Sequence, residues 1–283
     1  MLLYRKVGAI VVLIAIGLVA SFSFVWPVST VRLGTVSLGL SGDMLLALIL
    51  VALAWTGTHW TIHPHGPAYP RQSTLSYCIV PSAFTAAAWA LVALPTGVET
   101  RLLGAAISSV ALAWLIVSEY YVMNETRQHR AKVQWFVELA VYVVAMVLYL
   151  AIALRISLPS RCAVAVSLAT AALGMRLLTD MLFPLPSASG SDVAQHHPSA
   201  RPLTGTRGWF FVPALGLLSG LLSWLLKAMA PRPLAYSLTL VVSLYVMAGT
   251  ARHYLLGRLT RRVVLEYLLV GLACLVLFIF FAR

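Results

Sequence analysis

Apolar residues fall along this chain in nine long runs, separated by short polar segments. The runs lie at roughly 7–26, 44–60, 77–95, 102–122, 134–154, 162–183, 209–230, 234–254 and 263–282. Each holds about 17–22 residues, enough to cross a hydrocarbon layer of roughly 30 Å at a helical rise of about 1.5 Å per residue. The two-residue alternation that marks barrel strands is absent. Helices are the other way to satisfy every backbone hydrogen bond in lipid. The pattern predicts an all-α, polytopic transmembrane bundle of about nine helices, with the second run the shortest. The first run follows Arg5 and Lys6 as a signal sequence would. It is longer than a typical signal h-region and no clean small-x-small cleavage site follows, so it reads as the first transmembrane helix.

Composition excludes the soluble alternative. Of 283 residues, 61% are hydrophobic and 10% charged, against roughly 25% charged in ordinary soluble domains. No soluble fold of this length hides that much apolar surface. The three cysteines, Cys78, Cys162 and Cys274, sit in or beside apolar runs without metal or redox spacing. They read as small buried hydrophobes.

Charge supplies the orientation. The balance is 20 Lys+Arg to 8 Asp+Glu, a net charge of +12. The basic residues cluster between apolar runs, which fits membrane topology and anionic headgroups and does not call for nucleic acid. With the N-terminus inside, twelve Lys/Arg fall on inner segments and seven on outer ones, with Arg176 inside a run. The bias predicts an integral plasma-membrane protein, of the bacterial inner-membrane kind, with a cytoplasmic N-terminus. Trp26, Trp60, Trp135 and Trp209 fall at run ends, where amphipathic rings prefer to sit.

The domain reading is one integral membrane domain over 1–283. Residues 1–43 form a first helix and outer loop, 44–155 a four-helix unit, and 156–283 a second. The longest connection, 184–208, carries Pro184, Pro186, the His196-His197-Pro198 run and Pro202, and reads as a flexible linker. Internal echoes motivate the two units. Tyr121-Val122-Met123-Asn124-Glu125-Thr126-Arg127-Gln128-His129 shares five of nine positions with Tyr245-Val246-Met247-Ala248-Gly249-Thr250-Ala251-Arg252-His253. Val80-Pro81 echoes Val212-Pro213, and Glu138 echoes Glu266. Four spans per unit would give a parallel repeat about an axis along the membrane normal.

Ionisable residues inside spans are costly and so mark candidate sites. His59 ends the second run, with His63 and His65 just beyond. Glu119 and Tyr121 end the fourth, and Glu138 begins the fifth. Arg176 and Asp180 lie in the inner half of the sixth, Arg252 and His253 end the eighth, and Glu266 begins the ninth. All belong to the predicted cytoplasmic side. The outer halves offer little beyond Lys227. Arg176 and Asp180 are four apart and can pair on one helix face. Glu138 and Glu266, if equivalent, would form a carboxylate pair suited to proton or cation coupling.

No metal site and no cofactor are expected. His59, His63 and His65 lack a local Cys or carboxylate, and Pro64 and Pro67 stop the helix between them. Gly39-Leu40-Ser41-Gly42 has the letters of an intramembrane serine-protease motif, but it precedes the second run in a Gly-rich loop and reads as a turn and helix start. Nucleotide-loop, HExxH and diphosphate motifs are absent, and no catalytic residue can be named.

The inner cluster points to a carrier or binding component for a small or lipid-like anion, with membrane lipids as partners through their anionic headgroups. Two other readings stand beside it. One is an enzyme acting on a lipid at the cytoplasmic face. The other is a non-catalytic subunit that packs with a membrane-protein partner or with its own copies. The residues favour binding over catalysis.

Overall fold

The computed structural model describes residues 2–23, 28–33, 36–62, 75–94, 97–124, 127–182, 206–229 and 232–282. The chain is an all-α helical bundle. Its helices are α1 (Leu2–Ser23), α2 (Gly42–Ile62), α3 (Ile79–Val92), α4 (Val98–Asn124), α5 (Arg127–Arg155), α6 (Pro159–Leu182), α7 (Phe211–Ala228), α8 (Pro233–Leu255) and α9 (Arg261–Ala282). Among the described residues, eight helical stretches are long and apolar enough to cross a membrane. α9, with 22 residues, has a single charged residue, Glu266, from Val263 to Ala282. Each of the nine apolar runs therefore holds one of these helices, and the run expected to be shortest extends over 21 residues in α2.

Two local findings depart from the sequence reading. The segment between α1 and α2, expected as a loop, carries an antiparallel hairpin of β1 (Val28–Leu33) and β2 (Val36–Ser41). Its register pairs Val28 with Ser41 and Leu33 with Val36. Val28, Thr30, Val31 and Val36 are β-branched and suit strands, a signal that the glycines of this segment obscure in the sequence. The third run spans Leu75–Val92 with a local irregularity at Cys78, whose backbone stays in the right-handed helical region. Residues 75–77 form a short helical piece, Cys78 is a turn, and α3 starts at Ile79. Pro81 explains the irregularity, because it has no N–H to give to the carbonyl of Tyr77.

The chain divides into two compact units, Met1–Ala140 and Val141–Arg283, and the division falls inside α5. In the first unit α1 packs on α2 and α4, and α3 packs on α2 and α4. Val7, Ile10, Ile14 and Leu18 recur every three or four residues along α1 and join Leu50, Ala54, Val92, Ala105, Leu112 and Ile116 in one buried cluster. Near the other end of the same helices, Ile62, Tyr77, Val122, Met123 and Val137 form a second cluster. The last residue of α2 thus meets the start of the third span, the end of α4 and the start of α5, which is the alternation of a serpentine bundle.

In the second unit α6 packs most extensively on α7, α8 touches both, and α9 packs on α8. The α6–α7 contact rests on small residues. A Cβ on Gly216 would lie 2.8 Å from the Ser167 carbonyl oxygen, and one on Gly220 would lie 3.0 Å from that of Ala163. Ala163, Ser167 and Ala171 supply the matching small face at four-residue spacing. This close backbone approach is how helices associate in lipid, where no hydrophobic force draws them together.

Trp60 and Trp209 are exposed at or beside helix ends, and Trp135 is exposed where the apolar stretch of α5 begins. Lys6 Nζ lies 4.6 Å from the centre of the Trp60 ring, tying the start of α1 to the end of α2.

Candidate functional site

The candidate residues occupy the predicted inner end of each unit. In the first unit, His59 is half-buried on the last turn of α2, Tyr121 half-buried on α4, and Glu138 half-buried on α5. Glu119 is 1% exposed, a carboxyl group inside a membrane-crossing helix. It stands close enough to the buried Cys78 for its charge to act on the thiol. It also lies one turn from Met123, within the cluster that joins α2, α4, α5 and the third span. His63 and His65 lie outside the described residues.

In the second unit, Arg176 is 4% exposed within α6. Asp180 continues the same helix, but its side chain lies outside the described residues, and with it the expected pairing. Two residues past Arg176, Leu178 packs with Leu215 of α7 and with Ala251 and Leu255 of α8. This places Arg252 and His253, both half-buried, at the same depth as Arg176 on packed helices. Glu266 is exposed on the first turns of α9.

An aromatic file, which residue type alone did not indicate, organises this end. Ring centroids are 5.7 Å apart for Tyr142–Tyr245, 5.7 Å for Tyr245–Tyr267 and 5.9 Å for Tyr267–His253, all tilted or edge-on. The hydroxyl end of Tyr267 sits against Gly249, where a Cβ would come within 2.6 Å of its ring carbon Cε1. The charges of Arg252 and Glu266 both reach the Tyr267 hydroxyl. His253 Nδ1 is buried and has no hydrogen-bond partner in the structure. The signal in the sequence was the tyrosine register at 245 and 267, which fell between residues chosen for their charge.

The opposite end of the second unit is richer than the sequence reading allowed. Tyr236 Oη lies 2.6 Å from Ser223 Oγ and 3.1 Å from Cys162 Sγ, joining α8, α7 and α6. Beside it, Tyr149 Oη bonds Thr170 Oγ1 at 2.7 Å. Lys227 Nζ donates to the Ala153 carbonyl at 2.9 Å, near the end of α5, where a cation suits the helix terminus. Cys162 is thus buried as expected, but it also takes part in a hydrogen bond. A Tyr236→Phe variant should lose about 1–2 kcal/mol, the net worth of one or two buried hydrogen bonds. A double-mutant cycle with Ser223→Ala, read by thermal unfolding in detergent, should give coupling of about 1 kcal/mol. Simple additivity would show that the bond contributes nothing.

One of the comparisons with known proteins, that with a family model, matches most of the chain. A family described as "Protein of unknown function (DUF5656)" matches residues 23–185 and 193–281. The chain belongs to this family. The match begins at the last residue of α1, and its interruption at 186–192 falls within the connection between α6 and α7. No curated protein and no solved structure matches the chain.

Proposed function

We propose that this membrane protein binds a lipid-like anion at the predicted cytoplasmic end of its second unit, as a carrier or binding component. The observation that carries the reading is Arg176, a guanidinium 4% exposed inside a membrane-crossing helix. A cation at that depth is expensive and is seldom kept without a task. Arg252 and His253 add basic character at the same depth. Arg258, Arg261 and Arg262 are exposed on and after the turn between α8 and α9, where anionic headgroups would first be met. Guanidinium groups suit phosphate because they donate two parallel hydrogen bonds.

The test uses full-length protein in mild detergent, titrated with phosphatidylglycerol or phosphatidylcholine and read by native mass spectrometry. Saturable retention of the anionic lipid is expected, with little of the zwitterionic one. Arg176→Gln should weaken it about tenfold, the worth of a charge-assisted hydrogen bond. Arg176→Lys, which keeps the charge and loses the fork, should fall between. Equal retention by wild type and a folded Arg176→Gln variant would remove the reading and leave the subunit alternative. Chemical conversion of the bound lipid would favour the enzyme alternative.

A further inference from the structure

We infer that Glu119, Thr58 and Ser82 in the first unit form a binding site for a sodium-sized monovalent cation. The starting observation is a contrast among hydroxyl groups. Serine and threonine in these helices generally donate back to a carbonyl three or four residues earlier. Thr56 donates to Ala52, Thr61 to Gly57, Thr85 to Pro81 and Ser109 to Ala105, all at 2.7–2.9 Å. Such back-bonding is the ordinary way to satisfy a hydroxyl in lipid. Thr58 and Ser82 break that habit. They are 0% and 5% exposed, and their hydroxyl oxygens are buried without a hydrogen-bond partner in the structure. A buried hydroxyl left in that state costs stability, so its oxygen calls for a partner.

The two hydroxyls share a layer with a carboxylate. Thr58 lies one turn from Ile62, Glu119 one turn from Met123, and Ser82 one turn from Cys78. Ile62 and Met123 belong to the same buried cluster as Tyr77, the neighbour of Cys78. Their helices, α2, α3 and α4, pack against one another pairwise. In each case the polar residue is on the membrane-centre side of its partner. Glu119 is therefore set one turn deeper than an apolar plug of Ile62, Tyr77, Val122, Met123 and Val137. The charge of Glu119 already reaches Cys78, one turn from Ser82.

The chemistry of this layer is that of a hard cation. It offers a carboxylate and two hydroxyl oxygens. A proton on the carboxyl group adds a single donor, enough for one of the two hydroxyl oxygens, whereas a cation can engage all three groups. Ser219 has a similarly unpartnered oxygen, but it sits in the Gly216–Gly220 contact without a carboxylate and carries no such site.

The experiment measures thermal unfolding of the full-length protein in detergent at fixed pH, titrating sodium chloride against choline chloride at constant ionic strength. Saturable stabilisation by sodium and not by choline is expected, since a ligand bound only by the folded state raises its stability by mass action. Glu119→Gln should abolish the sodium response. Thr58→Val and Ser82→Ala should each raise the half-saturating sodium concentration about tenfold, a typical loss for one oxygen contact to a charge. If Glu119→Gln does not fold, the Thr58→Val, Ser82→Ala double variant decides, because it keeps the carboxylate and should lose the response. A wild-type protein indifferent to sodium, responding only to pH, overturns the inference. So does a sodium response unchanged in these variants.

Discussion

A Gly216→Leu, Gly220→Leu double variant is expected to lose the folded second unit. The two glycines let α7 approach α6 until backbone meets backbone, with the Ser167 and Ala163 carbonyl oxygens 2.8 and 3.0 Å from where a Cβ would stand. Carbonyl oxygens cannot rotate away as a side chain can, so the helices must separate. Overpacking costs about 1–3 kcal/mol per site, and the separation would also draw Tyr236 away from its partners on α6 and α7. Against the roughly 5–15 kcal/mol that holds a typical fold together, that loss is large. Size-exclusion chromatography after graded heating should show aggregation well below the wild-type temperature. Gly216→Ala, with the least added bulk, should show a smaller fall. Wild-type thermal behaviour in the double leucine variant would show that the small-residue contact does not hold the unit together.

The second large effect is expected at the outermost helix. α9 packs on α8, and most of its described side chains are exposed. Its anchorage centres on Tyr267, which fits against Gly249 and stacks with Tyr245 and His253. A Gly249→Ile variant fills that seat with a branched side chain. The ring is held on both sides by other rings, so it cannot simply swing aside, and about 1–3 kcal/mol of docking is lost. A cysteine pair introduced between α8 and α9 should crosslink more slowly in this variant, while the α6–α7 contact is retained. An unchanged crosslinking rate would show that α9 is fixed elsewhere. Tyr267→Ala in the same background should add little, because both changes remove one contact.

Much of the fold was legible because lipid imposes a simple rule. A run of about twenty apolar residues must be a helix, and all nine runs obeyed it. Tryptophan positions were legible for the same reason. The hairpin at Val28–Ser41 was not, since its glycines argue for a loop as readily as for a turn. Nor was the irregularity at Cys78, because proline is common in transmembrane helices without interrupting them. Candidate residues were legible by cost: Glu119 and Arg176 stood out as charges at membrane depth, and both are buried. Their neighbours were not. Cys162 and Tyr236 are 74 positions apart, and each looks ordinary alone. Thr58 and Ser82 resemble every other helical hydroxyl in the sequence. Only the geometry of each helix shows that their hydroxyl oxygens are buried without a hydrogen-bond partner.

The helical length and the apolar length of α5 differ. It is helical for 29 residues, from Arg127 to Arg155, but its apolar stretch begins only at Gln134. The seven residues from Arg127 to Val133 add about 10 Å at 1.5 Å per residue, comparable to the thickness of a headgroup layer. They include Arg127, His129, Arg130 and Lys132. Basic residues on a loop average over many heights above a membrane. On a helix their backbone positions follow one another at a fixed rise along one axis. A change in the surface charge of a surrounding bilayer would then act along the axis of α5, the helix inside which the division between the two units falls.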